Sequence, residues 1–383
     1  MPRIRPKVLV DEKYESQTSY TINLDLPDTG RLSTLFLKVK AKTATTGNAP
    51  NPWMKYLISS VSVNEGGQAA LNAAPPEVFA ADFYYKTGRM PQMGFQRPGG
   101  DGALVDEVIP IMFGEKINDP DHYIDLAKLS DPKLSVTYNL AETDHTAQTL
   151  WNTAYYPRFT VFANLFQGVG IPASKGFYSL RQSELWTPAN SEKHLFEVKG
   201  PRPVKRLYMQ QDTLMPNEEF LHLVNRVRLW GDNEGIIPFD MEAWPYTELI
   251  RELYGICEVD AYVPYAKGGQ GIDIVTDRFL GGTVKLPVTP TVQAHIQNAA
   301  GRYGTFKCIT SSSGGASTAV LQAELNIKGL APWSVYPIDM EKMLGMEHLR
   351  PEEFAPMFLE LEHASNAGDY SASMRIHTQD LVV

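Results

Sequence analysis

The sequence predicts an all-β protein made of two similar β-sandwiches in tandem, with short helices. Predicted strands outnumber predicted helices, and the turns between them are short and rich in Gly, Pro, Asn and Asp. This spacing is typical of sandwiches and barrels. The chain also has 383 residues, which is more than one hydrophobic core usually holds, so two domains are expected.

One stretch of the chain recurs in its second half. Residues 57–88 read LISSVSVNEGGQAALNAAPPEVFAADFYYKTG, and residues 223–255 read LVNRVRLWGDNEGIIPFDMEAWPYTELIRELYG. Each copy runs from alternating residues through a polar turn to a proline-marked helix start, at Pro76 in one copy and at Pro238 and Pro245 in the other. Each helix then stops at a glycine. Self-similarity at a fixed offset predicts a duplicated fold.

The segments that follow the two copies also correspond. Residues 108–111 read VIPI and residues 335–338 read VYPI. Each is followed by a short helical segment, at 125–129 or 351–355, and then by an alternating strand. Further strands are predicted at residues 18–26, 31–41, 104–113, 133–140 and 158–166, and at 177–186, 193–199, 203–211 and 373–383. Two halves with the same order of elements indicate two eight-stranded jelly rolls.

The predicted domains follow from this order. Residues 1–16 are a polar, basic-leaning N-terminal arm, residues 17–170 the first jelly roll and residues 171–383 the second. Polar termini are usually frayed, and the segment QGVGIPASK at residues 167–175 is typical of a linker. An insertion at about 256–332, rich in Gly and Ser, interrupts the second jelly roll. Because it retains strand-like pieces, we expect a small β-rich projection.

The composition argues against several classes of protein. A formal net charge of -9 does not suit a chain that coats nucleic acid, and no sequence-specific nucleic-acid partner is predicted. No window approaches the roughly 18–20 apolar residues of a membrane span, and the N-terminus lacks the features of a secretory signal. The two cysteines, Cys257 and Cys308, both fall in the insertion. Free thiols are the favoured interpretation, and a single bridge between them is the alternative.

The sequence offers no catalytic residue, no cofactor site and no metal site. A duplicated jelly roll also occurs in two-cupin metal enzymes, which need His-x-His with a further His and a carboxylate. The eight histidines include no His-x-His pair, and no two of them occupy matching places in the repeat. The sequence also lacks HExxH, GxSxG and the GxxxxGK[ST] phosphate loop.

A carbohydrate-active or carbohydrate-binding β-sandwich is the alternative from another functional class. Carboxylate pairs such as Glu360 and Glu362 are the type that glycoside hydrolases use. At alternating strand positions, however, these two residues are more simply a solvated sheet face. A sugar platform needs exposed aromatic side chains, whereas core or interface packing is the default for the four candidate tryptophans: Trp151, Trp186, Trp230 and Trp244.

With this architecture established, the chain resembles the double jelly-roll major capsid proteins of tailless icosahedral bacterial and archaeal viruses related to the adenovirus hexon. The segments that carry the resemblance are LISSVSVNEGG, VIPIMFGEKINDPDHYIDLAKLSDPKLSVTYNL, VNRVRLWGDNEG and the closing APWSVYPIDM, FLELEHA and MRIHTQDLVV. The resemblance extends over about residues 17–383 and consists of loose patterns of strand, turn and helix. Another virion or appendage structural protein is a further alternative.

The resemblance implies a structural protein without catalytic residues, located in the virion shell and made in the host cytoplasm. Three chains should form a pseudo-hexagonal capsomer. The insertion should form a tower on the second jelly roll, and the short loop at residues 89–102 should form a lower tower on the first. Implied partners are neighbouring capsomers, penton and minor capsid proteins, and an internal viral membrane. At the inner face, Arg3, Arg5 and Lys7 are predicted to contact anionic lipid or nucleic acid.

Overall fold

The structure is a computed structural model that describes residues 3–44, 56–66, 71–91, 104–142, 150–168, 171–212, 220–266, 271–273, 276–285, 292–297, 305–310, 321–354, 356–369 and 373–383. The elements of the first half are β1 (Arg3–Lys13), β2 (Ser19–Asp25), β3 (Arg31–Lys42), β4 (Ile58–Glu65), β5 (Asn72–Ala74), α1 (Pro76–Thr87), β6 (Leu104–Met112), β7 (Ile124–Asp125), β8 (Pro132–Asn139) and β9 (Arg158–Gln167).

The second half has the same elements with additional strands. They are β10 (Phe177–Trp186), β11 (Lys193–Val198), β12 (Val204–Asp212), α2 (Phe220–Leu223), β13 (Val224–Gly231), β14 (Ile236–Glu242), α3 (Ala243–Tyr254), β15 (Cys257–Ala266), β16 (Gly271–Asp273), β17 (Thr276–Lys285), β18 (Val292–Gln297), β19 (Thr305–Thr310), β20 (Leu321–Pro332), β21 (Val335–Asp339), α4 (Met340–Leu344), β22 (Met357–His363) and β23 (Ser373–Val382). Strands dominate both halves, which confirms the predicted all-β class.

Both halves have the same strand order, which confirms the predicted duplication. The two sheets of the first half run β1-β9-β3-β6 and β2-β8-β4-β5, and those of the second run β10-β23-β12-β21 and β11-β22-β13-β14. The two-residue strand β7 pairs with β3 outside this order. An eight-stranded double sheet of this kind is a jelly roll. We call the halves roll 1 (β1–β9 with α1) and roll 2 (β10–β23 with α2–α4).

Strand β3 shows how sequence alternation builds the core. Leu35, Leu37 and Val39 are fully buried, whereas Lys38 and Lys40 lie half-buried on the opposite face. Successive side chains of a strand point to opposite faces of the sheet. One face of β3 therefore fills the core of roll 1, and the other remains accessible at its outer surface.

The two rolls share one continuous sheet. Strand β5 of roll 1 pairs in parallel with β10 of roll 2, at Ala73 and Arg181, so that two four-stranded sheets join into one of eight strands. The side-chain oxygen of Asn72 also accepts a hydrogen bond from the backbone N–H of Leu180 at 2.9 Å. This connection places the rolls side by side.

Two local predictions are wrong. The expected N-terminal arm is strand β1 over most of its length, and this strand pairs antiparallel with β9. Leu9 and Val10 pack against the core of the protein, which holds β1 in the sheet. Pro238 lies within β14 rather than at a helix start, and α3 begins at Ala243. Strand β14 is at a sheet edge. A proline is tolerated there because it has no N–H to donate, and an edge strand has no neighbour on its outer side that needs this hydrogen bond.

The insertion in roll 2 is rich in strands, in agreement with the sequence. Its strands form two three-stranded sheets, β15-β20-β17 and β16-β19-β18. Cys257 pairs with Gly329 at the start of the β15–β20 ladder, so the two ends of the insertion lie close together. Cys257 is a free, buried thiol, and Leu330 is buried as well. Most of the loop at residues 89–102 lies outside the described residues.

Candidate assembly interface

Helix α1 lies between the two rolls and is buried on all sides. Ten consecutive residues of this helix, from Pro76 to Tyr85, are buried. A helix on the surface of a globular protein buries only one face. Here one face packs into roll 1, and the other is covered by the outer face of the sheet β10-β23-β12-β21 of roll 2.

The face of α1 that meets roll 2 carries carboxylates with several hydrogen bonds. Glu77 Oε1 accepts a hydrogen bond from Gln210 Nε2 at 3.0 Å. Asp82 Oδ1 accepts one from the hydroxyl of Tyr208 at 2.6 Å and one from Gln379 Nε2 at 2.8 Å. Hydrogen bonds to a charged partner contribute more than neutral ones, so these contacts hold the helix in a defined position on roll 2.

Tyrosines complete the contact at the C-terminal end of α1. The ring of Tyr85 lies 6.2 Å from that of Tyr208 in a stacked arrangement and 4.7 Å from that of Tyr254 in an edge arrangement. The hydroxyl of Tyr85 donates to the backbone oxygen of Val335, and that of Tyr84 donates to the backbone oxygen of Tyr254 at 3.2 Å. Burial raises the pKa of the Tyr85 hydroxyl well above its ordinary value, so it remains a hydrogen-bond donor.

A buried ion cluster adjoins this helix. Arg206 of β12 donates from Nε to Asp339 Oδ2 at 2.6 Å, and from Nη1 to Glu115 Oε1 at 3.0 Å and to Gln379 Oε1 at 2.9 Å. Glu115 belongs to roll 1 and the other three residues to roll 2. The cluster therefore joins the rolls through charges that both of them supply.

The electrostatics of this cluster favour the charged forms. Burial by itself would raise the pKa of the Asp339 carboxyl, but the charge of Arg206 and the hydrogen bonds from Arg206, Tyr254 and the backbone of Lys342 together outweigh this effect, so the pKa lies below its ordinary value. At Glu115 burial also opposes ionisation, but the charges of Arg206, Lys86 and Lys205 together lower the pKa of this carboxyl. Removing one member of a buried ion pair leaves an uncompensated charge in the interior, so the two rolls do not separate without a large cost in free energy.

The predicted basic residues Arg3, Arg5 and Lys7 lie on strand β1 at the edge of a sheet. Arg5 and Lys7 alternate along the strand and therefore lie on one face of it, and both are exposed. The opposite face carries Ile4, which is 43% exposed, and Val8, which is 51% exposed. The structure thus places all three residues on a strand rather than on a flexible arm, and it brings Arg5 and Lys7 together on one exposed face.

The described histidines are used for packing and hydrogen bonding. The ring of His363 accepts a hydrogen bond at Nε2 from the indole N–H of Trp186 at 3.2 Å, and its Nδ1 lies 3.0 Å from the backbone oxygen of Leu223. Burial lowers the pKa of His363. Within the described ranges, no group of three or more His, Cys, Asp or Glu is arranged to hold a metal ion, and no helix there is long and apolar enough to cross a membrane.

The predicted solvated face at Glu360 and Glu362 is wrong for one of the two residues. Glu360 is only 6% exposed, because its Oε2 accepts a hydrogen bond from the indole N–H of Trp230 at 3.0 Å and Lys193 lies 3.3 Å from its Oε1. Trp230 also packs on Phe358, with ring centroids 4.8 Å apart. This carboxylate is therefore a buried partner of a tryptophan and a lysine.

The other tryptophans of the sugar-platform alternative also differ in their surroundings. Trp151 is fully buried, and Trp186 stacks on His194 with centroids 3.9 Å apart. Trp244 is 57% exposed and lies on α3. The four side chains are on different elements, and three of them are engaged in packing.

Sequence reasoning missed the residues that join the rolls. No local pattern singles out Arg206, Asp339 and Glu115, because each stands in an ordinary strand or turn and their partners lie far away in the sequence. One signal was present: Arg206 and Asp339 each adjoin apolar residues in a predicted strand, in VKRLYM and VYPID. Charged residues are almost never fully buried unless they are paired, so their positions indicated a buried pair.

The comparisons with known proteins agree with the strand order. No protein-family model matches the sequence, and no curated protein matches it either. Solved structures do match over nearly the whole chain. The structure resembles the major capsid protein of Sulfolobus turreted icosahedral virus, with a TM-score of 0.60 and 9% sequence identity over 99% of this chain and 97% of that one. The chain has a double jelly-roll fold.

Two further structures share this double jelly roll. One is the capsid of the PBCV-1 virus, with a TM-score of 0.56 and 9% identity over 99% of this chain and 93% of that one. The other is the major capsid protein P2 of bacteriophage PM2, with a TM-score of 0.51 and 8% identity over 100% of this chain and 98% of that one. The similarity therefore lies in the fold, and it extends over nearly the full length of this chain and of each matched chain.

Proposed function

We propose that this chain is a major capsid protein that forms homotrimeric, pseudo-hexagonal capsomers of an icosahedral virion. The observation that carries the proposal is the pair of rolls with identical strand order, held side by side by the buried contacts of α1. Two similar units in one chain supply two of six pseudo-equivalent edges, so three chains close a hexagon. Closed cyclic symmetry satisfies these contacts without open-ended fibres.

The partners of the chain and the roles of its surfaces follow from the proposed capsomer. The capsomers would contact one another, penton and minor capsid proteins, and an internal membrane, and the protein would be made in the host cytoplasm. The insertion in roll 2 would form the tower. Arg3, Arg5 and Lys7 would face an anionic surface, where each basic residue contributes about 1 kcal/mol. The role requires no enzymatic activity.

The mass of the purified protein in solution tests the proposal. Light scattering should give about three times the chain mass of 42.7 kDa, and electron microscopy should show particles with hexagonal outlines that assemble further at high concentration. A protein that stays monomeric at every concentration, with no ordered assemblies, would contradict the proposal.

A further inference from the structure

Helix α3 occupies in roll 2 the place that α1 occupies in roll 1, yet it is much less buried. Each helix has 12 residues, and each is followed by a glycine with positive φ, 69° at Gly88 and 78° at Gly255. In α3 only Ala243, Tyr246, Thr247 and Ile250 are buried. The face that in α1 meets the neighbouring roll is therefore accessible in α3.

Aligning the two glycines gives a residue-by-residue equivalence between the helices. Phe79 then corresponds to Tyr246, and both point into the core of their own roll. Asp82, which bonds to roll 2, corresponds to Leu249, and Glu77 corresponds to Trp244. Leu249 is half-buried and Trp244 is exposed.

The sheets of the two rolls can be aligned in the same way. Pro110 pairs with Phe36 in the β3–β6 ladder, and Pro337 pairs with Tyr208 in the β12–β21 ladder. The two prolines occupy matching places, so Phe36 of roll 1 is the counterpart of Tyr208 of roll 2. Two residues further on, Lys38 is the counterpart of Gln210.

The irregular positions of the first strands support this alignment. Strand β1 has a register shift between Val8 and Val10, and β10 has one between Gln182 and Glu184. Val8 pairs with Phe162 and Gln182 pairs with His377. A bulge is a specific local feature of a strand, and its recurrence at the same place indicates that both sheets follow one plan.

The outer face of the roll 1 sheet is complementary to the accessible face of α3. Phe36 and Phe162 are half-buried there. The side chains of Lys38 and Lys40 are 39% and 34% exposed, and each also pairs with a carboxylate of roll 1, Asp106 or Glu12. Helix α3 offers Leu249 and Trp244, together with two acidic residues, Glu248 and Glu252. The phenylalanines of one surface therefore match the apolar side chains of the other, and the partly exposed lysines match Glu252 and Glu248, the latter already paired with Arg251.

The sheet edges beside these surfaces also correspond. Within the chain, β5 pairs in parallel with β10. Their counterparts, β14 and β1, are edge strands in their sheets. Both carry exposed apolar side chains, namely Ile236 and Ile237 on β14 and Ile4 and Val8 on β1. An exposed edge with apolar side chains is a template for pairing with another chain.

We propose that α3 and β14 of one copy dock on roll 1 of the next copy, in the manner in which α1 and β5 dock on roll 2 of their own chain. Leu249 then lies against Phe36 of the neighbouring copy, and this apolar contact is the counterpart of the Asp82–Tyr208 hydrogen bond within the chain. Trp244 lies beside Lys38 of the neighbouring copy. The proposal rests on the proposed trimer and assigns the residues that hold it together.

Transplanting the polar pair from one interface to the other tests this assignment. Leu249→Asp alone places a carboxylate against a phenylalanine ring, so the concentration at which the trimer dissociates should rise by about tenfold or more. Adding Phe36→Tyr supplies the hydroxyl that Tyr208 gives to Asp82 and should restore the trimer. Leu195→Asp is the matched control, because Leu195 is an exposed leucine of roll 2 on β11, and this variant should remain trimeric.

The outcomes separate this proposal from the proposed function. A wild-type protein that is monomeric contradicts the trimer itself. If the wild-type protein is a trimer and the Leu249→Asp variant is equally trimeric, the docking surface is overturned. A double variant that stays monomeric overturns it too, and so does a Leu195→Asp control that dissociates as readily as Leu249→Asp.

A cross-linking experiment keeps the proposal testable if Leu249→Asp does not fold, as judged by circular dichroism. Trp244→Cys with Lys38→Cys should give covalent dimers and trimers with a short bis-maleimide reagent, and Trp244→Cys alone should not. Products confined to the monomer, from a protein that is trimeric before treatment, would overturn the docking surface.

Discussion

Arg206 is a charged side chain that is almost completely buried, between carboxylates that come from both rolls. Burying an ion costs free energy that only close partners offset. Asp339 provides one partner at 2.6 Å and also accepts hydrogen bonds from the backbone N–H groups of Glu341 and Lys342 at 3.0 Å. The same carboxylate thus neutralises Arg206 and caps helix α4.

Removing the charge of Asp339 should destabilise the protein strongly. Asp339→Asn keeps an acceptor for the helix cap but leaves Arg206 with one charged partner fewer, so we expect the free energy of unfolding to fall by about 3 kcal/mol. Urea denaturation measures the change. The control is Asp240→Asn, because the Asp240–Arg226 pair at 2.6 Å lies at the surface and should contribute less than about 1 kcal/mol. Equal losses in the two variants would contradict this account.

His377 should make stability depend on pH. Burial, reinforced by the charge of Arg375, lowers the pKa of its ring from 6.5 to about 3. Above pH 6.5 the ring is neutral in both the folded and unfolded states, so it has no effect there. Between about pH 6.5 and 3, the unfolded chain binds a proton that the folded protein excludes. The free energy of unfolding therefore decreases as the pH is lowered through this range, by up to about 1.4 kcal/mol per pH unit.

The variant His377→Gln isolates this contribution. Denaturation curves of both proteins at several values between pH 7.5 and 4 should show a smaller loss of stability in the variant. Parallel curves for the two proteins would show that the ring takes up its proton without unfolding.

At the scale of single elements, β1 is the clearest case of a segment whose role depends on its partner. Its N-terminal half is polar and basic, yet its backbone pairs with β9 and its Leu9 and Val10 pack against the core. Glu12 adds an ion pair to Arg158 at 2.7 Å. An edge strand with these contacts is part of its sandwich.

Deleting residues 1–13 should therefore lower the thermal unfolding midpoint, because the edge of β9 and part of the core become exposed. Differential scanning calorimetry measures the change. The matched control replaces Arg3, Arg5 and Lys7 by Gln, which keeps the strand and should change the free energy of unfolding by no more than about 0.5 kcal/mol. The same control should weaken particle assembly or membrane attachment if these side chains meet an anionic surface. An unchanged midpoint after the deletion would indicate a frayed arm.

At the scale of the whole molecule, the two jelly rolls and the insertion have separable roles. The rolls are joined by the shared sheet, by α1 and by the Arg206 cluster, whereas the insertion enters and leaves roll 2 at one place, beside the Cys257–Gly329 pair. Because Cys257 and Leu330 are buried, they belong to the core of roll 2. The insertion proper lies between them.

Replacing residues 258–328 by a short Gly/Ser linker should leave both rolls folded, since loop closure depends only weakly on length. It should weaken the proposed trimer, because the sequence of the insertion alternates apolar residues that need a partner, and three copies around an axis would provide one. Burial contributes about 25 cal/mol per Å² of apolar surface. Circular dichroism and light scattering measure the two effects. A folded and fully trimeric product would refute the interface role, and an unfolded one would place the insertion in the core.

Local patterns in the sequence were sufficient for most of the strands. Alternation predicted β10 at residues 177–186 with the observed bounds, and the recurring segment predicted two rolls of equal topology. These features depend on the period of the side chains and on turn residues, both of which can be read within a few positions.

The contacts that join the rolls depended on the tertiary structure. Arg206 meets Asp339 and Glu115, which lie 133 and 91 positions away along the chain, and β1 finds its partner in β9 at the other end of roll 1. A strand pattern indicates which side chains face a core, but it carries no information about which distant strand or helix covers the other face. Helices α1 and α3 have matching places and different burial because only one of them has a roll of its own chain against it.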